Sequence, residues 1–139
     1  MNDRQYRMMK LKKEEIEQMD FEIRFCEGLL QKRSDFTEVL GLLGDLYTKR
    51  GFLTKGLQAD KRLAKLKPKD PVVFYNLACS YSLLDQMDEA FDTIKKALSY
   101  GYTDFKHLER DKDLIKLRRD KRFKNFYSQL INISEMHNG

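Results

Sequence analysis

Proline is nearly absent from this 139-residue chain, which holds only Pro68 and Pro71, and glycine is sparse at seven. With so few breakers among many Leu, Lys, Glu, Asp and Arg residues, helix is favoured along most of the length. No alternating Val/Ile/Thr-rich run exists from which a sheet could be built, so the class is all-α. Nor is there an apolar run long enough to cross a bilayer, and the N-terminal MNDRQYRMMKLKKEE has no apolar signal core. These two absences make a cytoplasmic location the expectation. Cysteine occurs only at Cys26 and Cys79, in apolar helical contexts without CxxC or metal-type spacing, which reads as buried free thiols in a reducing compartment.

Catalytic groups are equally scarce. The two histidines, His107 and His137, lie in different terminal segments. No acidic pair sits in an apolar setting that would tune a pKa for proton transfer. Glycines do not gather into a phosphate-cradling loop, and no nucleophile motif appears. The expectation is a protein that is not an enzyme and takes neither cofactor nor metal.

What the chain does have is charge and internal repetition. Net charge is +5, with 27 Lys and Arg interleaved among 22 Asp and Glu, often at i to i+4 spacing, as on a solvated helical face. Placed over 71–104 at an offset of 34 residues, the segment 37–70 matches without a gap. Leu40 falls on Phe74, Leu43 on Leu77, Gly44 on Ala78 and Tyr47 on Tyr81, and later Gly56 falls on Ala90 and Leu57 on Phe91. Each unit reads as two helices. In the second, Phe74, Leu77, Ala78 and Tyr81 form one apolar stripe, and Met87, Ala90, Phe91, Ile94, Ala97 and Leu98 form another after a break near Asp85. Arg50-Gly51 supplies the turn in the first unit, since glycine ends a helix in the left-handed region cheaply. Between units, Pro68 stops a helix, Asp70 is the expected N-cap, and Pro71 suits the first helical position.

The segment FYNLACSYSLLDQMDEAFDTIKKALSYGY resembles a tetratricopeptide repeat, and LGLLGDLYTKRGFLTKGLQADKRLAKLKP a more divergent one. Phe74, Leu77, Ala78, Tyr81, Ala90, Ile94 and Ala97 match the family's signature positions, as do Leu40, Leu43, Gly44, Tyr47, Gly56 and Pro68. Asp60 and Leu63 depart from the large apolar and the small residue usual there, which predicts weaker packing in the first unit. LERDKDLIKLRRDKRF resembles the closing stretch that covers the last repeat of such proteins. The resemblance implies a right-handed α-solenoid of about seven helices. Its parts are a polar arm (1–18), a partial repeat (19–36), repeats at 37–70 and 71–104, and a helical C-terminal cap (105–139).

It also implies a partner-binding groove drawn from the first helix of each unit: Glu38, Gly41, Asp45, Thr48 and Lys49, then Val72, Tyr75, Asn76, Cys79, Ser82 and Leu83. Tyr75 is the expected principal contact, because aromatic anchors dominate binding energy. A clamp for a C-terminal carboxylate, known from co-chaperones of this family, is not expected. Gly41 and Asp45 stand where it wants Lys and Asn, and Asp45 would repel the carboxylate.

The C-terminal basic cluster offers Lys106, Arg110, Lys116, Arg118, Arg119 and Arg122. It reads either as an acidic-partner or RNA patch or as the solvated outside of a cap, and interruption by Asp111, Asp113 and Asp120 favours the second. The N-terminal arm carries Tyr6, Met9 and Ile16 as a thin apolar stripe on a very polar helix, and reads as a docking helix, a dimerisation element, or a disordered or loosely packed segment. The functional expectation is a non-enzymatic adaptor or scaffold holding a protein or peptide segment. The alternatives are a self-associating module of a larger assembly, or an RNA-associated accessory protein.

Overall fold

The computed structural model describes residues 1–138, and every regular element among them is helical. The chain forms two compact units, Met1–Leu66 and Lys67 to the end.

The first unit holds α1 (Asp3–Lys32), α2 (Thr37–Lys49) and α3 (Leu53–Leu66). No break occurs at residue 18: arm and partial repeat are one 30-residue helix, about 45 Å long at 1.5 Å per residue. Asn2 caps it by accepting from the Gln5 amide, while the Gln5 side chain returns to the Asn2 amide. Only its C-terminal half is packed, where Ile23, Cys26 and Leu30 are buried on α2. Polar ties reinforce that contact. The Tyr47 hydroxyl donates to Glu27 at 2.6 Å, and Arg50 pairs with Asp20 at 2.7 Å.

Helices α2 and α3 form an antiparallel hairpin, as a short turn between packed helices requires. Gly51 sits at φ 84°, and the Phe52 amide reaches back to the Tyr47 carbonyl at 2.8 Å. The second unit repeats this turn between α4 (Pro71–Leu83) and α5 (Met87–Ser99). There Asp85, 34 residues on, takes φ 61°, and the Gln86 amide bonds the Tyr81 carbonyl at 2.9 Å. One backbone device thus closes both hairpins, with glycine in one and a strained aspartate in the other. Asp70 caps α4 by accepting from the Val72 and Val73 amides, and Pro71 occupies the first turn, both as the sequence predicts.

Ala78, Ala90 and Ala97 are fully buried between α4 and α5, where small side chains let the helices approach. In the first unit the sizes are exchanged. Gly41 and Leu63 stand where the second unit has Tyr75 and Ala97, and a Cβ on Gly41 would meet Leu63 Cδ2 at an ordinary 3.5 Å. Leu63 is therefore buried over a glycine, and the packing deficit expected from its departure is made good by its partner. Asp60 is also buried, facing Gly44.

After α5 the chain forms α6 (Phe105–Arg110), a 3-10 turn (Lys112–Leu114), α7 (Ile115–Arg119) and α8 (Lys121–Asn138). Eight α-helices form among the described residues against about seven expected: the arm and the partial repeat merge into α1, and three α-helices, α6 among them, follow α5. Leu108, Leu114 and Leu117 are completely buried against α4 and α5, and Phe123 joins them from α8. This segment supplies the cover that the last hairpin needs for its apolar face.

Candidate partner-binding surfaces

In the first unit the expected groove residues divide by helical phase. Val39, Leu40, Leu43, Leu46 and Tyr47 turn inward and are buried. Glu38, Asp45 and Lys49 lie exposed along the opposite side of α2, with Asp45 and Lys49 ion-paired at 2.9 Å. Gly41 is half-buried beside Leu63, and Thr48 is half-buried, its hydroxyl donating to the Gly44 carbonyl at 3.1 Å. Sequence reasoning passed over Leu42, which lies between Glu38 and Asp45 on the exposed side and is 50% exposed. Its signal was its phase: it falls outside the stripe of Leu40, Leu43 and Tyr47. The resulting face, Glu38, Leu42, Asp45 and Lys49, is an apolar centre with charged ends.

The second unit corrects the expectation for α4. Val72 and Asn76 are exposed there and Leu83 is half-buried, whereas Tyr75, Cys79 and Ser82 are buried. The chain's own C-terminal segment covers them. Tyr75 is only 3% exposed and stacks on Tyr102 with ring centroids 4.2 Å apart and planes 8° apart. Its hydroxyl donates to Asp111 Oδ2 at 2.7 Å. It is a core ring and not an open anchor. The same carboxylate oxygen receives the Cys79 thiol at 3.7 Å and lies 3.2 Å from His107 Nε2, while Asp111 Oδ1 accepts from the Asp113 amide at 3.0 Å. Ser82 Oγ accepts from the Leu117 amide at 3.3 Å. Asp111 appears in the sequence only as one acid among basic residues, and in the fold it joins α4, α6 and the 3-10 turn.

The basic cluster is likewise drawn into the cap. Arg118 donates to the carbonyls of Leu108 and Asp111, which ties α7 to the end of α6. Arg122 bridges Asp88 at 2.7 Å and Asp120 at 3.1 Å, and Lys116 pairs with Asp85 at 2.8 Å. The Arg122 hydrogen bonds hold the Asp120 carboxyl below its usual range. Five of the six cations, Lys106, Arg110, Lys116, Arg119 and Arg122, are exposed, and Arg118 is half-buried. Three of the six, Lys116, Arg118 and Arg122, are engaged by acceptors within this unit.

Three tyrosine hydroxyls donate to carboxylates: Tyr47 to Glu27, Tyr75 to Asp111, and Tyr127 to Glu109 at 2.8 Å. All three are pushed well above the ordinary tyrosine value near 10. Burial is the main cause in each. At Tyr75 the neighbouring Cys79 comes next and then the carboxylate, whereas at Tyr47 and Tyr127 the carboxylate comes second. Because the folded values are raised, the stability these phenols contribute is complete below about pH 10 and is lost as pH climbs toward the folded values. In an alkaline titration, the absorbance difference between wild type and Tyr75→Phe should therefore develop together with loss of helical circular dichroism. Ionisation of Tyr75 near pH 10 in a fully helical protein would contradict the buried bond.

Among the described residues no cluster of His, Cys, Asp and Glu could hold a metal ion, and no helix is long and apolar enough to cross a membrane. Cys26 and Cys79 are both buried, and they form no disulfide with each other.

No family model matches the chain. It is similar to a chloroplastic protein of Arabidopsis thaliana, at 32% identity over 127 residues. The match covers 86% of this chain but only 36% of that protein, so the chain spans about a third of the relative's length.

Proposed function

We propose that this chain is a non-catalytic adaptor of tetratricopeptide type, which holds a segment of another protein against the exposed side of α2. The solenoid architecture belongs to this proposal. Two hairpins at a 34-residue offset, closed by equivalent left-handed turns at Gly51 and Asp85, support it. The observation that carries the binding role is Leu42. It is a half-exposed leucine on a helix whose other large apolar side chains are buried, and it is flanked by Glu38, Asp45 and Lys49. An apolar centre that a partner can desolvate, inside a charged rim, is the pattern from which binding energy arises. Val72 and Asn76 are the exposed part of the corresponding face in the second unit.

RNA binding through the basic cluster has less support, because Arg118, Arg122 and Lys116 already have acceptors within the fold. The cytoplasmic expectation rests on the sequence having neither an apolar signal core nor an apolar run long enough to cross a bilayer. The relative is a chloroplastic protein, so compartment is a matter for fractionation of the source cells.

The test compares wild type with Leu42→Glu in affinity capture from source cells, followed by calorimetry with the purified captured protein. Leu42 is not a core residue, so the variant should keep its circular dichroism. The expected result is at least a ~10-fold weaker complex. Equal affinity for wild type and variant would remove the α2 face from the reading.

A further inference from the structure

The first 25 residues hold 8 of the 15 exposed large apolar side chains among the described residues: Met1, Tyr6, Met8, Met9, Leu11, Ile16, Phe21 and Phe25. Every residue from 1 to 18 is exposed, yet the backbone is a continuous capped helix. An isolated polar helix of this length is marginal in water, so its order depends on a surface that packs on it. The helical phase says where. Met8 and Leu11 lie on one side of the arm together with Arg4, Arg7, Glu14 and Glu15, and all six are exposed.

Charge along this arm is divided into blocks. Residues 1–13 carry five cations (Arg4, Arg7, Lys10, Lys12, Lys13) against Asp3 alone. Residues 14–23 carry five carboxylates (Glu14, Glu15, Glu17, Asp20, Glu22) and no cation. Asp20 is bound to Arg50, and among the described residues none of the arm's five cations forms an ion pair. A helix that is basic in its first half and acidic in its second is complementary to its own reverse.

We infer that residues 3–19 of α1 form an antiparallel dimer with the same segment of a second copy of this chain. The dyad lies at Leu11, so that Arg7 of each copy lies over Glu15 of the other, with Arg4 beside Gln18 and Glu14 beside Met8. Such an interface is isologous and closes at two subunits. The seam is the side of the arm that carries Arg4, Arg7, Met8, Leu11, Glu14 and Glu15, with Leu11 meeting Leu11 at the dyad. A parallel pair would set like charges against each other along its whole length, which excludes that orientation. The seam is narrow, so charge supplies much of the specificity and binding weakens with salt. The dimer is independent of the α2 face, and failure of either leaves the other standing.

The experiment is sedimentation equilibrium on the whole chain, with three variants. Wild type is expected at twice its 16.6 kDa mass at micromolar to submillimolar concentration, with dissociation promoted by added salt. The triple variant Arg4→Glu, Arg7→Glu, Lys10→Glu leaves Lys12 and Lys13 as the only side-chain cations among residues 1–19. The triple variant Glu14→Lys, Glu15→Lys, Glu17→Lys leaves Asp3 as the only carboxylate there. Each alone should dissociate at least ~100-fold more readily, since attractive pairs become repulsive on both sides of the dyad. An equimolar mixture of the two should regain the dimer mass. All six positions are exposed, so folding is preserved, and circular dichroism checks this. Met8→Lys with Leu11→Lys should also give a monomer. A monomeric wild type, a dimer that survives either triple variant, or one that tightens with added salt would each overturn the proposal.

Discussion

Replacing Asp111 with alanine is expected to cost about 3 kcal/mol and to lower the unfolding midpoint by about 10 °C. The carboxylate accepts from Tyr75, Cys79 and the Asp113 amide, and it faces His107. Its loss takes from the Tyr75 hydroxyl its carboxylate acceptor in a site where the residue is 3% exposed, a penalty of ~1–3 kcal/mol. Loss of the cap on the 3-10 turn adds about 1 kcal/mol. Asp111→Asn keeps an acceptor for both donors and should retain most of the stability. Tyr75→Phe combined with Asp111→Ala should cost less than the sum of the single changes, because the stranded hydroxyl is gone. A local readout separates this account from general weakening. Cys79 is buried beneath the cap and Cys26 lies in the other unit, so the thiol of Cys79 should gain far more reactivity than that of Cys26 in Asp111→Ala. Equal gains at both thiols would show that Asp111 does not seat the cap.

Gly44→Leu should destabilise the first unit by about 3 kcal/mol. A Cβ at Gly44 would lie 2.7 Å from Asp60 Oδ1 and 3.6 Å from Ala59 Cβ, so even the first added carbon forces a buried carboxylate to move. Overpacking of this kind typically costs ~1–3 kcal/mol, and displacing a buried polar group from its partners adds to it. Gly41→Ala, one turn earlier on the same helix, has the opposite expectation. Its Cβ would make an ordinary 3.5 Å contact with Leu63, so the helix propensity of alanine over glycine should appear as a gain of up to ~1 kcal/mol. Thermal unfolding of the two variants tests both signs. A stable Gly44→Leu would mean that Asp60 can leave the hairpin without cost.

Both results turn on features with different degrees of legibility in the sequence. Helix content, the 34-residue offset, the Asp70-Pro71 start of α4 and the turns at Gly51 and Asp85 were all readable. Each depends on residues close in sequence, through periodicity, capping and backbone preference. The size exchange between Gly41 with Leu63 and Tyr75 with Ala97 was half readable. Comparing the units position by position marks Leu63 as a misfit, and only pairing across the hairpin shows Gly41 making room for it.

The candidate surface was less legible, because exposure depends on what the rest of the chain covers. From helical phase Tyr75 and Glu38 look alike as outward positions. In the fold Glu38 stays open, while Tyr75, Cys79 and Ser82 lie beneath a cap that returns from more than 25 residues further along. Charge shows the same limit. The run of cations from Lys106 to Arg122 reads as a patch, but Arg118, Arg122 and Lys116 are directed to carbonyls and carboxylates distant in sequence. Leu42 was placed by phase, and its exposure was decided only by tertiary structure. The sequence by itself thus determined the helices, their pairing period and the charge blocks of the arm, because these are set by neighbours within a few turns. Only the tertiary structure decided which faces remain open, because that depends on where the C-terminal segment docks, and Asp111 holds that docking.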